Sequence, residues 1–279
     1  MDRVLMDGEM AASARHAVVA RACRLHWPDW HGTVTGMVVF DDLAAEQDRL
    51  DAILGGLEEA DWAVPSAAAG WTVADVMLHL AQTEEAVTAS AAGADVAVRS
   101  PDGATVDEVM DRLVRAERPP SAAVLPRWRT ARLAAVAALR AADPDQPLAW
   151  AAAPLRPATL ATTRLAEHWA HGLDITGPLG IAFPDTARLR HIAWLAHRTL
   201  PYAFVLAGEQ PHHVLCALTA PDGTATWRYG PPDADSAITG PAAAFCRVAA
   251  QRLTPAQSGL LATGPHGATA LGLLRTYAA

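Results

Sequence analysis

Apolar residues between positions 41 and 180 recur at intervals of three and four, the spacing that places side chains on one face of a helix. The first such segment begins at Asp41, and polar residues such as Glu46 lie off its apolar stripe. We therefore predict a core helix here. Its inward-facing residues are Leu43, Gln47, Leu50, Leu54 and Leu57.

A second helix is predicted to begin after Thr72, because Thr72 and Asp75 form the sequence pattern of a capping box. His79 lies at the edge of the apolar face of this helix. The residues predicted to face inward are Val73, Val76, Met77, Leu80 and Val87.

Further amphipathic segments follow, each ended by a proline-containing break. Helices joined in this way are typical of an antiparallel bundle. The predicted helices cover residues 106–114, 121–142 and 159–176, and the breaks lie at residues 119–120, 143–144 and 177–178.

The pattern changes after residue 183, where two short β-like runs flank a Pro-Asp-Gly turn and predict a hairpin. The fold class is therefore α+β, with an N-terminal extension, a helical bundle and a small α+β domain. We place these at residues 1–36, 37–182 and 183–279. Within the last, helices are predicted at residues 185–200, 241–252 and 267–277, and strands at residues 214–218 and 225–229.

Composition describes a globular protein, with 51% hydrophobic residues and a net charge of -8 over 279 residues. All 22 basic residues are Arg, and the acidic balance argues against a nucleic-acid partner. Neither a membrane-spanning run nor a signal-peptide core is found, so we expect a cytoplasmic protein. Cys23, Cys216 and Cys246 are odd in number and widely spaced, which predicts reduced, buried thiols. Cys23, His26 and His31 lack a further ligand at zinc-finger spacing.

The feature that points to chemistry is Glu167 with His171, four residues apart on one helix face. Together they can hold a divalent ion if another element supplies a third ligand, and His79 is the candidate. The alternatives are a hydrogen-bonded core histidine at position 79 and a surface ion pair between Glu167 and His171.

Neighbouring residues have less specific interpretations. His168 points roughly 100° away from Glu167 and is expected at the surface or between domains. Arg164 pairs with a carboxylate of a bound ligand, pairs with Glu167, or is solvated. Asp174 either orients a ligand imidazole or is a charge near the helix end. Trp71 and Trp169 are expected to pack, and the histidines expected at the surface are His191, His197, His212, His213 and His266.

Two sequence runs, GWTVAD at residues 70–75 and RLAEHWAHGLD at residues 164–174, resemble mycothiol-dependent maleylpyruvate isomerase-like proteins of the DinB superfamily. The resemblance extends through residues 221–223, Trp227, residues 239–242 and residues 245–246. It implies a DinB-like antiparallel bundle followed by a sterol-carrier-like α+β domain that packs near a metal site.

The resemblance also implies a ligand set of His79, Glu167 and His171 with water completing a zinc shell, and mycothiol as cosubstrate. Arg164 is then the residue expected to contact the thiol. Two imidazoles and one carboxylate leave an open position, as in catalytic zinc sites. Metal coordination deprotonates a thiol whose pKa is otherwise roughly 8.5.

This chain departs from the family pattern about one turn after His79. Gln82 and Thr83 stand where an aromatic pair is usual, and Glu84 stands where Asp is usual. The substrate is therefore not expected to carry over from the family.

The leading hypothesis is a zinc-dependent enzyme that uses a low-molecular-weight thiol in S-transfer to, or isomerisation of, a small electrophile. Alternatives are a thiol-independent, metal-dependent lyase or cyclase, and a non-catalytic protein that binds a metal and an apolar ligand. Nucleotide-binding, esterase and zincin signatures are missing from the sequence.

Overall fold

The computed structural model describes residues 36–97, 104–151 and 153–276. These residues form two compact units, one that ends at Ile192 and a second, Ala193–Thr276. The division falls within a helix rather than at residue 183, where the sequence pattern changes. Cys23, His26 and His31 lie outside the described residues.

The first unit is helical, and each long helix corresponds to a segment predicted from the apolar pattern. A short 3₁₀ helix, Glu59–Ala63, follows the first of them. The long helices are α1 (Gly36–Leu54), α2 (Val73–Ala91), α3 (Val106–Glu117), α4 (Ser121–Ala141) and α5 (Pro157–Thr176).

In this unit α2 packs mainly along α4, and α1 packs mainly along α5, while α3 lies against α2. Each large apolar side chain removed from water stabilises the bundle by roughly 1.5–3 kcal/mol. The predicted helical bundle is confirmed. Members of its core are Leu50, Leu54, Val76, Met77, Leu80, Val114, Trp128 and Ile175.

The first helix differs from its prediction in two ways. It begins at Gly36, not at Asp41. Glu46, expected to be solvent-exposed, is buried and accepts a hydrogen bond from Arg188 Nε at 2.6 Å. The partner lies 142 residues away in the sequence, so local periodicity gives no sign that this carboxylate is paired.

The second unit contains a mixed four-stranded sheet, ordered β2-β1-β3-β4. The predicted hairpin is present, because β1 and β2 are antiparallel and Gly223 between them has a φ of 74°. Strand β3 runs parallel to β1 and antiparallel to β4. The elements are α6 (Leu189–Leu206), which begins in the first unit, β1 (Leu215–Thr219), β2 (Thr226–Tyr229), β3 (Ala237–Pro241), α7 (Ala242–Ala249), a 3₁₀ helix (Pro255–Gln257), β4 (Leu261–Thr263) and α8 (Gly267–Leu273).

The α+β class is confirmed, but β3 and β4 were not predicted. Strand β3 contains Gly240 and ends at Pro241, residues that are depleted in strands, and β4 has only three residues. Helix α6 was predicted at residues 185–200, yet it begins at Leu189 and continues through Pro201. Strands β3 and β4 form because they pair with neighbouring strands, not because their local pattern requires them.

Cys216 lies in β1 and Cys246 in α7, and both are buried thiols outside any disulfide, as predicted. Burial raises the pKa of the Cys216 thiol. No helix among the described residues has the length and apolar character needed to cross a membrane.

Candidate metal centre

Three side chains from two helices converge in the first unit. His79 comes from α2, and Glu167 and His171 come from successive turns of α5. The Nε2 atoms of His79 and His171 each lie 3.5 Å from Oε2 of Glu167. All three potential ligand atoms lie within 4.8 Å of one another.

This donor set fits a divalent metal ion. Ligand atoms held tetrahedrally at roughly 2.0–2.1 Å from zinc are separated by about 3.3 Å. The two Nε2–Oε2 separations of 3.5 Å are close to that value. Among the described residues this is the only cluster of three such side chains.

Local sequence fixes the helix that carries His79. Thr72 accepts a hydrogen bond from the backbone N–H of Asp75, and the Asp75 carboxylate accepts one from the backbone N–H of Thr72. The predicted capping box is therefore present. Asp75 also accepts hydrogen bonds from Arg118, which follows α3. The capping box and Arg118 together fix the start of α2, and this in turn fixes the position of His79 along the helix.

The carboxylate is the most accessible member of the cluster. The Glu167 side chain is 30% exposed, whereas His79 and His171 are 8% and 11% exposed. Burial disfavours ionisation of Glu167, but hydrogen bonds from His171 and His79 outweigh it and hold the pKa well below its usual range. Glu167 is thus an anion, suited to act as a ligand.

The two imidazoles are electrostatically different. Burial lowers the pKa of His79 to about 4, which favours the neutral form that binds metals. Burial tends to lower the pKa of His171 as well, but its hydrogen bonds with Asp174 and Glu167 have the larger combined effect, so its pKa is raised. His171 Nδ1 donates to Asp174 Oδ2 at 2.9 Å, so Asp174 orients this imidazole. Among the described residues, Nδ1 of His79 is buried and has no such partner.

Trp71 lies beside both imidazoles. Its ring centroid is 5.2 Å from that of His79 and 6.3 Å from that of His171, where the rings are stacked. Its Nε1 donates to Asp111 of α3 at 2.8 Å. The packing role expected for Trp71 therefore includes limiting the movement of two candidate ligands.

The sequence predicted His168 at the surface or between domains, but it is completely buried among residues of the first unit. Its Nε2 accepts a hydrogen bond from Trp128 Nε1 at 3.2 Å, so Nδ1 carries the proton and donates to the carbonyl of Arg164 at 2.8 Å. Burial, together with the charge of Arg164, lowers the pKa of His168 to about 3. The helical angle correctly separated His168 from Glu167 but could not show that Trp128 fills the other side.

Other histidines have mixed outcomes. The prediction for His191 is wrong, because it is buried and its Nε2 lies 2.7 Å from Asp42 Oδ2 of α1. His213 is exposed, as predicted, while His212 and His266 are half-buried and stack on each other. None of these lies in the metal-ligating cluster.

Arg164 is not solvated. It donates from Nε to Glu84 Oε1 at 2.8 Å and from Nη2 to Thr83 Oγ1 at 2.6 Å. Gln82 donates to Glu117 of α3 at 2.7 Å. Positions 82 to 84, which depart from the family pattern, therefore contact neighbouring helices. Glu84 lies four residues after Leu80 and three before Val87, so the apolar stripe contained a signal that it is buried.

Comparisons with known proteins agree with this fold. The family model described as the mycothiol maleylpyruvate isomerase N-terminal domain matches residues 43–176. Two proteins of Mycobacterium tuberculosis, each described as uncharacterized, are 40% identical over 220 residues, or 76% of this chain and 84% of theirs.

Two crystal structures of mycothiol-dependent maleylpyruvate isomerase, one of them a mutant, share the fold. Each aligns with a TM-score of 0.57 at 16% identity and covers 82% of this chain and 93% of the other. From the family match, the relatives and the fold, the chain belongs to the mycothiol-dependent maleylpyruvate isomerase-like family of the DinB superfamily.

Proposed function

We propose that this protein is a zinc-dependent enzyme that uses a low-molecular-weight thiol, mycothiol, for isomerisation of, or S-transfer to, a small electrophilic substrate. The observation that carries the proposal is the convergence of His79, Glu167 and His171 in a chain whose fold is shared by a mycothiol-dependent maleylpyruvate isomerase. Glu167 is the accessible side of the cluster, through which small molecules would enter.

His79 Nε2, His171 Nε2 and a carboxylate oxygen of Glu167 would hold the ion. When bound, zinc lowers the pKa of a coordinated thiol so that it is a thiolate at neutral pH. Glu167 remains ionised and serves as a ligand, not as a general base. Asp174 fixes His171 with its proton on Nδ1, which leaves Nε2 free to bind the metal.

The sulfur would come from a small molecule. In the second unit, Cys216 is buried in β1 and Cys246 is buried in α7. The raised pKa of Cys216 disfavours its thiolate form. The role of Arg164 as a contact for the thiol stays a prediction. Its burial and its ion pair with Glu84 favour a structural link within the site instead.

The substrate is proposed to differ from maleylpyruvate. Gln82 and Thr83 are polar where the family pattern has aromatic residues, and both are held in hydrogen bonds to neighbouring helices. An aromatic wall at this position is therefore replaced by fixed polar groups. This observation also favours the second candidate, a metal-dependent lyase or cyclase that needs no thiol.

A metal analysis followed by single-turnover assays tests the proposal. We expect about one zinc ion per chain, and loss of metal in His79→Ala and in His171→Ala but not in the exposed control His213→Ala. Turnover of candidate electrophiles should require both metal and mycothiol. Equal metal-dependent rates without thiol would support the lyase or cyclase, and full metal retention in both ligand variants would refute the site.

A further inference from the structure

An ion pair lies fully inside the bundle beside the candidate metal centre. The side chains of Glu84 and Arg164 are 0% and 2% exposed, and Arg164 Nε donates to Glu84 Oε1 at 2.8 Å. Arg164 Nη2 also donates to the hydroxyl of Thr83 at 2.6 Å. One guanidinium from α5 therefore contacts two adjacent residues of α2.

Thr83 and Arg164 each lie about one helical turn from a candidate metal ligand, Thr83 from His79 on α2 and Arg164 from Glu167 on α5. The Thr83 hydroxyl donates to the backbone carbonyl of His79 at 2.8 Å. Arg164 precedes Glu167 by three residues, which is nearly one turn of α5. Thr83, Glu84 and Arg164 thus join the turn that carries His79 to the turn before Glu167.

Stability alone does not explain this arrangement. Removing two charges from water opposes folding by an amount that often exceeds their attraction, so well-packed apolar residues are frequently at least as stabilising. Glu84 Oε2 is buried and has no hydrogen-bond partner among the described residues. Burial accordingly raises the pKa of Glu84 despite the nearby guanidinium.

We propose that Arg164, Thr83 and Glu84 form a positioning clamp that fixes α5 against α2 and thereby sets the spacing of Glu167 and His79. Arg164 is the central positioning residue, since its planar fork contacts Glu84 and Thr83 in two directions at once. The clamp rests on the proposed metal site and determines how tightly that site binds a divalent ion.

Variants of the full chain test the clamp with zinc and cobalt(II) as probes. Thr83→Val keeps the shape of the side chain but removes its hydroxyl, and Arg164→Lys keeps the charge but not the fork. We expect both to weaken zinc affinity roughly 10–100-fold, as disruption of groups that support ligands does. Zinc affinity is measured by competition with a chromophoric chelator, and the visible spectrum of bound cobalt(II) reports ligand geometry. Thr83→Ser keeps the hydroxyl, so it should retain the wild-type zinc affinity and cobalt(II) spectrum.

The matched control is Arg132→Lys. Arg132 is also buried, and it joins α4 to α1 through Asp48 and Asp51. We expect it to lower the thermal unfolding temperature of the metal-free protein without changing zinc affinity or the cobalt(II) spectrum. This separates a positioning effect from a general loss of stability.

The outcomes are distinct. Wild-type zinc affinity and cobalt(II) spectra in both Thr83→Val and Arg164→Lys would overturn the clamp while leaving the metal site intact. An equal loss of affinity in Arg132→Lys would overturn it as well. A wild-type protein that binds neither ion would refute the proposed function and the clamp together.

Discussion

His171 donates from Nδ1 to Asp174 Oδ2 at 2.9 Å, so its Nε2 is directed to Glu167 within the same helix. The carboxylate of Asp174 is itself buried. A buried anion three residues after a ligand fixes both the orientation and the tautomer of the imidazole. Asp174 is therefore the residue outside the ligand set whose loss should affect metal binding most directly.

We expect Asp174→Ala to weaken zinc affinity by roughly 10–100-fold, and Asp174→Asn to weaken it less, because an amide oxygen still accepts the hydrogen bond. Competition with a chelator measures both. Asp48→Asn, which alters an exposed carboxylate of α1, is the control and should bind zinc like the wild type. Unchanged affinity in Asp174→Ala would contradict this role for Asp174.

Phe183 leaves no room for a side chain at Gly172, the residue next to His171. A Cβ atom at position 172 would lie 2.5 Å from Cζ of Phe183. Helix propensity alone predicts that Gly172→Ala stabilises by about 1 kcal/mol, whereas overpacking destabilises by about 1–3 kcal/mol. Because the Arg49 guanidinium lies over the Phe183 ring, 3.5 Å from its centroid, and restricts its movement, we expect the overpacking to prevail.

Denaturant unfolding of Gly172→Ala and of Gly172→Ala with Phe183→Leu measures this effect, and the double variant should recover much of the loss. Gly272→Ala in α8 is the control, since among the described residues no atom outside the local helix backbone and the adjacent residues lies within 4 Å of its added Cβ. That variant should be neutral or more stable. A gain of stability in Gly172→Ala would show that Phe183 moves away freely.

His168 should make stability depend on pH. Its pKa is lowered by burial to about 3, so the unfolded chain binds the proton more readily than the folded chain. The stability that the neutral imidazole contributes is present above about pH 6.5 and is lost as the pH falls toward 3. Between pH 7 and pH 5 the loss should be about 2 kcal/mol.

Urea unfolding of metal-free wild type and His168→Gln at both pH values measures this loss. Gln does not titrate, so the variant should be less stable at pH 7 but should show a weaker pH dependence. His79, whose pKa is also lowered, titrates in both proteins and cancels in the comparison. Identical pH dependence would mean that His168 is not the group responsible.

Neither described cysteine should be needed for chemistry. Cys216→Ser is expected to retain metal content and mycothiol-dependent turnover, while a hydroxyl placed in the buried strand β1 lowers stability by about 1–3 kcal/mol. Cys246→Ser should behave similarly. Loss of turnover at full metal occupancy and normal folding would indicate a protein-derived thiol.

The sequence predicted the parts of the site that depend on local pattern. The capping residues Thr72 and Asp75 and the helical spacing of Glu167 and His171 all lie where they were expected. These features require only neighbouring residues, which is why periodicity and capping rules find them.

Pairings between distant segments were not predictable in the same way. Glu46 is buried because Arg188 reaches it, and His168 is buried because Trp128 donates to it from another helix. Glu46 and His168 are polar, so the local sequence pattern predicts that both are exposed. Strand β3 likewise depends on its parallel neighbour β1, not on its own composition.

The position of Trp71 gives the site an optical probe of its own. Its indole is in ring contact with His79 and His171, so a paramagnetic ion such as copper(II) held by those residues would quench its fluorescence. The chain contains nine tryptophans, and the difference between wild type and Trp71→Phe isolates this one. Metal loading can thus be followed in real time without a label, as the emission of a single side chain.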